Sequence, residues 1–223
     1  MSKFTKSILV AAAACVIPLA SYAVPVTTNP SLSIDGLNFG GFSCSVTKGG
    51  FAATPNNCRQ INVTTITSPG VGLEFNSGFT AAPLSFDDAV IKYHVSSGAG
   101  INSVGLDFNG TFWGLAVASV TESVFNGNQL VGFAQVSCGT DVGCNRTDMI
   151  MLDGAYNNLY IEKDINVSGF LGVAQASIID QTFGTDAPEP ASLALFGGGL
   201  LGVALLLRKR VKSADIRKAG SLA

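Results

Sequence analysis

The stretch I-K-Y-H-V-S-S-G-A-G-I-N-S-V-G-L-D-F-N-G, residues 91–110, decides the fold. Ile91, Tyr93 and Val95 share one parity against Lys92 and His94. In an extended chain this sends the first set to a core and the second to water. Ser96 to Gly100 reads as a loop, and Val104, Leu106 and Phe108 then repeat the alternation. Asn109-Gly110 is a two-residue hairpin signal, because both residues tolerate the positive φ that such turns require. The chain resumes at Phe112 to Val124, breaks at Asn126-Gly127-Asn128 and resumes again at Leu130 to Val136. A meander of three strands follows from these signals.

The flanking sequence has the same character. Upstream, Leu32 to Phe42 suits a strand ending in a turn, and Ile61, Val63 and Thr65 alternate. Ser68-Pro69-Gly70 marks a turn before Val71, Leu73 and Phe75. Downstream come Met149 to Leu152, a turn at Asp153-Gly154, and Leu159, Ile161, Ile165 and Val167 on one parity with Lys163 between them. Phe170 to Ile179 is the last predicted strand, and Asp180 to Ala187 a polar spacer. No window shows a sustained helical stripe. Short strands punctuated by Gly, Asn and Pro predict an all-β body over residues 24–183, an antiparallel β-sandwich or jelly roll.

Charge is distributed unevenly. Residues 24–190 hold five basic and fourteen acidic side chains, net -9, although the whole chain is at -2. An acidic body disfavours nucleic acid and anionic lipid as its partners, since phosphate binding needs clustered Lys and Arg. Four cysteines lie in that body, Cys44, Cys58, Cys138 and Cys144, and three pairings are open. Loop length favours Cys44 with Cys58 and Cys138 with Cys144. Zinc is the rival reading, but no C-x-x-C is present and His94 is the one histidine.

Candidate chemistry is sparse. His94 falls on a water-facing strand position, which makes it a bystander rather than the base of a nucleophilic triad. Asp87-Asp88, Asp107, Glu122, Asp153 and Glu162 could supply the paired carboxylates of a glycosidase, with none preferred. Calcium could be held by an Asp87-Asp88 loop or by the segment from Asp141 to Asp153, although no D-x-D-x-D-G loop exists. Phe112, Trp113, Tyr156 and Tyr160 could stack on sugar, and of these the pattern exposes Tyr156 and Tyr160. No catalytic residue, metal ligand or cofactor is assigned.

Both ends read as targeting segments. Met1 to Ala23 has a basic start at Lys3 and Lys6, an apolar stretch, and a small-x-small ending at Ser21-Tyr22-Ala23. This is a signal peptide cleaved after Ala23, and Cys15 leaves with it. At the other end Pro188-Glu189-Pro190 precedes an uncharged run from Ala191 to Leu207 and a basic cluster at Arg208, Lys209 and Arg210. Seventeen residues lie near the lower limit of roughly 17–25 for a membrane-spanning helix. The basic end keeps the cytoplasmic side, and the body lies outside.

This tripartite tail, residues 184–210 with its spacer, resembles the PEP-CTERM sorting signal of Gram-negative bacteria. The resemblance implies processing by exosortase, an inner-membrane enzyme that acts near the P-E-P element, and transient anchoring in the inner membrane. It also implies delivery to the cell surface or matrix of organisms that make exopolysaccharide. Val211 to Ala223 extend past the usual end as a basic cytoplasmic tail. Phrases such as S-V-G-L-D-F-N-G-T-F give the body the look of the small β-rich proteins that precede this signal. The expected function is a non-enzymatic surface or exopolysaccharide-matrix protein, with a carbohydrate-binding module or adhesin as the alternative.

Overall fold

The computed structural model describes residues 22–50 and 53–185. The sorting motif, the predicted membrane helix, the basic cluster and most of the predicted signal peptide lie outside these residues. Thirteen strands form the body: β1 (Val24–Pro25), β2 (Leu32–Ile34), β3 (Leu37–Gly49), β4 (Ala53–Thr54), β5 (Asn62–Ile66), β6 (Gly72–Ala81) and β7 (Ser85–Phe108). After these come β8 (Thr111–Trp113), β9 (Ala116–Asn126), β10 (Gln129–Gly139), β11 (Gly143–Asn145), β12 (Thr147–Gly169) and β13 (Val173–Thr185). Every pairing is antiparallel.

Two strands run through the whole body. β7 spans 24 residues and β12 spans 23, and they pair from Ser85↔Gly169 to Asp107↔Thr147. Their outer partners change along the way. β7 bonds β3 over Phe86 to Ser97 and then β13 over Ile101 to Phe108. β12 bonds β9 only over Tyr160 to Gly169. One layer is therefore β3, β7, β12, β9, β10 and β11, and the other carries β1, β5, β6 and β13 beside the far halves of β7 and β12. Strands that pass from one layer to the other at a bend are a known way to close a sandwich.

Two sequence expectations are corrected at that bend. The expected Ser96–Gly100 loop is strand, and the expected turn at Asp153-Gly154 is a register irregularity inside β12. Gly100 makes the bend possible, with φ of 79° and room for a Cβ only 2.9 Å from that of Ala155. Asn109-Gly110 is not a hairpin either. β8 continues beside the same partner, β13, that β7 was using. The Asn109 side chain fills the gap in the ladder, its Oδ1 accepting the N–H groups of Ser177 and Ile178 at 2.8 and 3.0 Å. The predicted Phe112–Val124 strand is split at Gly114 and Leu115, whereas the break at Gly127 does join β9 to β10. Asp180 to Thr185 belongs to β13 rather than to a spacer.

The apolar parities meet between the layers. Phe75 of β6 lies 5.8 Å from Tyr93 of β7, and Phe39 of β3 lies 5.6 Å from Phe183 of β13, measured between ring centres. Ile91, Val95, Val104, Leu106, Ile161 and Ile165 are all buried with them. Disulfides join Cys44 to Cys58 and Cys138 to Cys144.

Candidate functional site: a braced loop end and a buried polar cluster

Four connections gather at one end of the sandwich: Ala82–Leu84, Gly114–Leu115, Thr140–Val142 and Phe170–Gly172. They are braced against one another by backbone groups. The Leu84 N–H donates to Phe170 O at 3.2 Å, and the Leu171 N–H to Leu115 O at 3.1 Å. The Thr140 hydroxyl donates to Gly114 O at 2.6 Å and accepts from the Ala116 N–H at 3.2 Å. Cys138–Cys144 ties off the hairpin that carries Thr140 to Val142. Gly172 allows the closest approach, since a Cβ there would sit 2.1 Å from Trp113 O.

The braced loops turn apolar side chains outward. Trp113 is 75% exposed, and Leu84, Leu115, Val142, Phe170 and Leu171 are exposed beside it or around the same end. Leu84 is held at φ of 61°, a left-handed conformation uncommon for a branched residue. A cleft of about 310 Å³ opens among Leu115, Val117, Gly139, Thr140, Val142 and Phe170, with the Asp141 carboxylate on its edge. The aromatic expectation is corrected here. Tyr156 and Tyr160 are half-buried, whereas Phe112 and, far more so, Trp113 are exposed. The exposure of Trp113 depends on loops far apart in sequence, so the local pattern around residue 113 carries no sign of it.

Other sequence candidates are distributed elsewhere. His94 is exposed on the sheet face and packs on Tyr160, which packs on Phe125, with ring centres 5.1 and 6.1 Å apart. Asp87 and Asp88 lie in β7 rather than in a loop, and so point to opposite faces. Burial pushes the Asp87 carboxyl up to about 6. Asp164 is also raised to about 6, first by burial and then by the neighbouring Asp88. Asp153 accepts a hydrogen bond from the Tyr156 hydroxyl, and Glu162 pairs with Lys92 at 3.0 Å on the surface. Among the described residues no three His, Cys, Asp or Glu side chains gather as a metal site.

The interior holds a second polar arrangement. Lys163, Glu122 and Gln181 are fully buried. Lys163 of β12 and Glu122 of β9 are register partners, and the Lys163 Nζ donates to Glu122 Oε2 at 2.6 Å. It also donates across the layers to Gln181 Oε1 of β13 at 2.6 Å. Gln181 Nε2 donates to Gly105 O at 2.9 Å, and the Phe75 ring centre lies 5.8 Å from Nζ. Burial lowers the Lys163 amine and raises the Glu122 carboxyl, each against the pull of the other's charge. A signal for this cluster exists in the sequence. Glu122 falls on the parity of Val120 and Val124, Lys163 on that of Ile161 and Ile165, and Gln181 on that of Ile179 and Phe183.

The fold thus defines a disulfide-braced, antiparallel β-sandwich class of body. The same chain carries a PEP-CTERM protein-sorting motif, matched over residues 186–210. No curated protein matches the sequence. Among solved structures, the chain is similar to TmCBM61 in complex with beta-1,4-galactotriose, at 8% identity and a TM-score of 0.35, covering 63% of this chain and 88% of that one. It is also similar to a family 11 carbohydrate-binding module from Clostridium thermocellum, bound to a mixed-linked tetrasaccharide. There the identity is 13% and the TM-score 0.25, with 70% and 95% covered. A loop-swap mutant of Necallimastix patriciarum Xyn11A gives 8% identity and a TM-score of 0.25, with 74% and 100% covered. Likenesses of this degree carry no functional argument.

Proposed function

We propose that the protein is an exosortase-sorted, non-enzymatic component of the cell surface or exopolysaccharide matrix, and that its Trp113 end binds polysaccharide. The sorting half of this reading rests on the PEP-CTERM motif at residues 186–210. The binding half rests on one observation: an exposed indole and an apolar cleft, held rigid by four cross-braced loops, with Thr140 and Asp141 at the margin. A pyranose has a C–H face that packs on an aromatic ring and hydroxyls that bond to polar side chains, so an exposed indole and a cleft lined by Thr140 and Asp141 at one end of the body suit it. Preformed loops also reduce the ordering cost of binding.

Co-sedimentation of the protein with exopolysaccharide from its own host tests the binding, with Trp113→Ala as the comparison. Equal retention of the variant would remove this end as the site. Replacing Pro188, Glu189 and Pro190 with alanine tests the sorting, and a longer product retained in the membrane is expected. Unchanged processing would remove exosortase as the partner.

A further inference from the structure

We propose that Lys163 and Gln181 become joined by a side-chain amide, an isopeptide bond between the two layers of the sandwich, with Glu122 carrying the proton. The three groups that such a reaction needs stand in one place. The nucleophile is the Lys163 amine, whose Nζ is 2.6 Å from the carboxamide oxygen of Gln181. The carbon to be attacked lies one carbonyl bond, about 1.23 Å, beyond that oxygen. The electrophile is oriented, because its Nε2 is already committed to Gly105 O at 2.9 Å. The proton carrier is Glu122, with Oε2 at 2.6 Å from Nζ and Oε1 left without a hydrogen-bond partner.

Burial adds what the geometry alone does not. An ammonium ion has no lone pair, and the water-free site favours the neutral amine at Lys163 and the protonated acid at Glu122. The strands fix the partners before any chemistry begins: Lys163 and Glu122 are directly opposite in the β12–β9 ladder. Two groups held this way react as if at very high concentration, with effective molarities on the order of 10⁵ M or more. Exclusion of water protects the amide product from hydrolysis.

The step balances without a co-reactant. As the Nζ lone pair forms a bond to Cδ of Gln181, Glu122 gives its proton to Oε1 of the carboxamide and takes one from Nζ in its place. The bond from Cδ to Nε2 then breaks while Glu122 passes a proton to Nε2 and recovers the one on Oε1, and ammonia departs. Glu122 ends as it began. A primary amine and a primary carboxamide have become one secondary amide, and nothing is oxidised or reduced.

The test is a tryptic digest of the full chain, reduced and made in a host that lacks exosortase, read by mass spectrometry. Trypsin does not cut after an acylated lysine, so residues 147–208 should appear as one piece, about 17 Da lighter than its sequence mass for the lost ammonia. Fragmentation should place the branch at Lys163 and Gln181. Separate peptides 147–163 and 164–208 at unmodified mass would overturn the bond. A loss of about 18 Da on a peptide joining Lys163 to Glu122 would overturn the choice of Gln181, since it marks condensation with the acid. Glu122→Gln should give the two linear peptides, and a light joined peptide in that variant would overturn the role of Glu122. Because the wild-type digest decides the bond itself, a folding defect in the variant leaves the result intact.

Discussion

The interior around Lys163 and the loop end around Trp113 each put a residue where its type rarely belongs. Lys163 is a lysine with no exposure, and Trp113 is a large apolar ring that is 75% exposed. They differ in what answers them. Lys163 is met by Glu122 and Gln181 within the chain, both at 2.6 Å, whereas the apolar side chains beside Trp113 are held outward by loops braced to each other. The interior exception is satisfied internally and belongs to the fold. The surface exception has no such answer in the fold, and the proposed binding is placed there for that reason.

The sharpest way to break this contrast is to remove one inner partner. Lys163→Met should destabilise the body by about 3–5 kcal/mol in denaturant unfolding, because Glu122 and Gln181 keep their burial and lose their donor. Adding Glu122→Leu should recover much of that loss; if the single variant is as stable as the parent, the inner cluster is not what holds the layers. A smaller effect follows from untying the outer end. Replacing Cys138 and Cys144 with serine should lower stability by about 2 kcal/mol and weaken polysaccharide binding by freeing the Thr140 loop.

Trp113→Ala should separate the two regions most cleanly. Unfolding should change by less than about 0.5 kcal/mol, as for other exposed sites, while affinity falls about tenfold, or about 1.4 kcal/mol. The reverse result would make the ring part of the fold. The weakest effect concerns acids that are buried without a basic side chain as close as the one Glu122 has. Asp87, Asp164 and Asp180 are raised from 3.8 to about 6 by burial, so the folded state holds more protons than the unfolded one between those values. Stability should therefore fall as pH rises through that window and be greatest below it. A thermal midpoint roughly 5 °C higher at pH 4 than at pH 7 is expected, with a shallower slope for Asp87→Asn.

How far these features were legible in the sequence depends on their range. Ile91, Tyr93 and Val95 could be placed inside because alternation is a property of a few adjacent residues, and the same holds for Leu159, Ile161, Ile165 and Val167. Ser96 to Gly100 reads as a loop by composition, yet it is a bend within a strand, since the ladders that hold Ser96 and Ile101 continue on either side of it. Asn109-Gly110 carries a real hairpin signal that β13 overrides by offering one continuous edge to β7 and β8. Lys163 looked like a polar interruption in an apolar row. What gives it meaning is Glu122, 41 residues away, and Gln181 in the opposite layer.

The place of β13 has a mechanical consequence. It is the last strand before the sorting motif, and it lies between β6 and β7 rather than at an edge. Tension on the chain beyond Thr185 would run along β13 and load its ladders to β6 and β7 together, in shear. Strand-parallel loading strains many hydrogen bonds at once, where an edge strand would peel them one by one. While the body remains tethered, the tether pulls on the part of the sandwich that yields last.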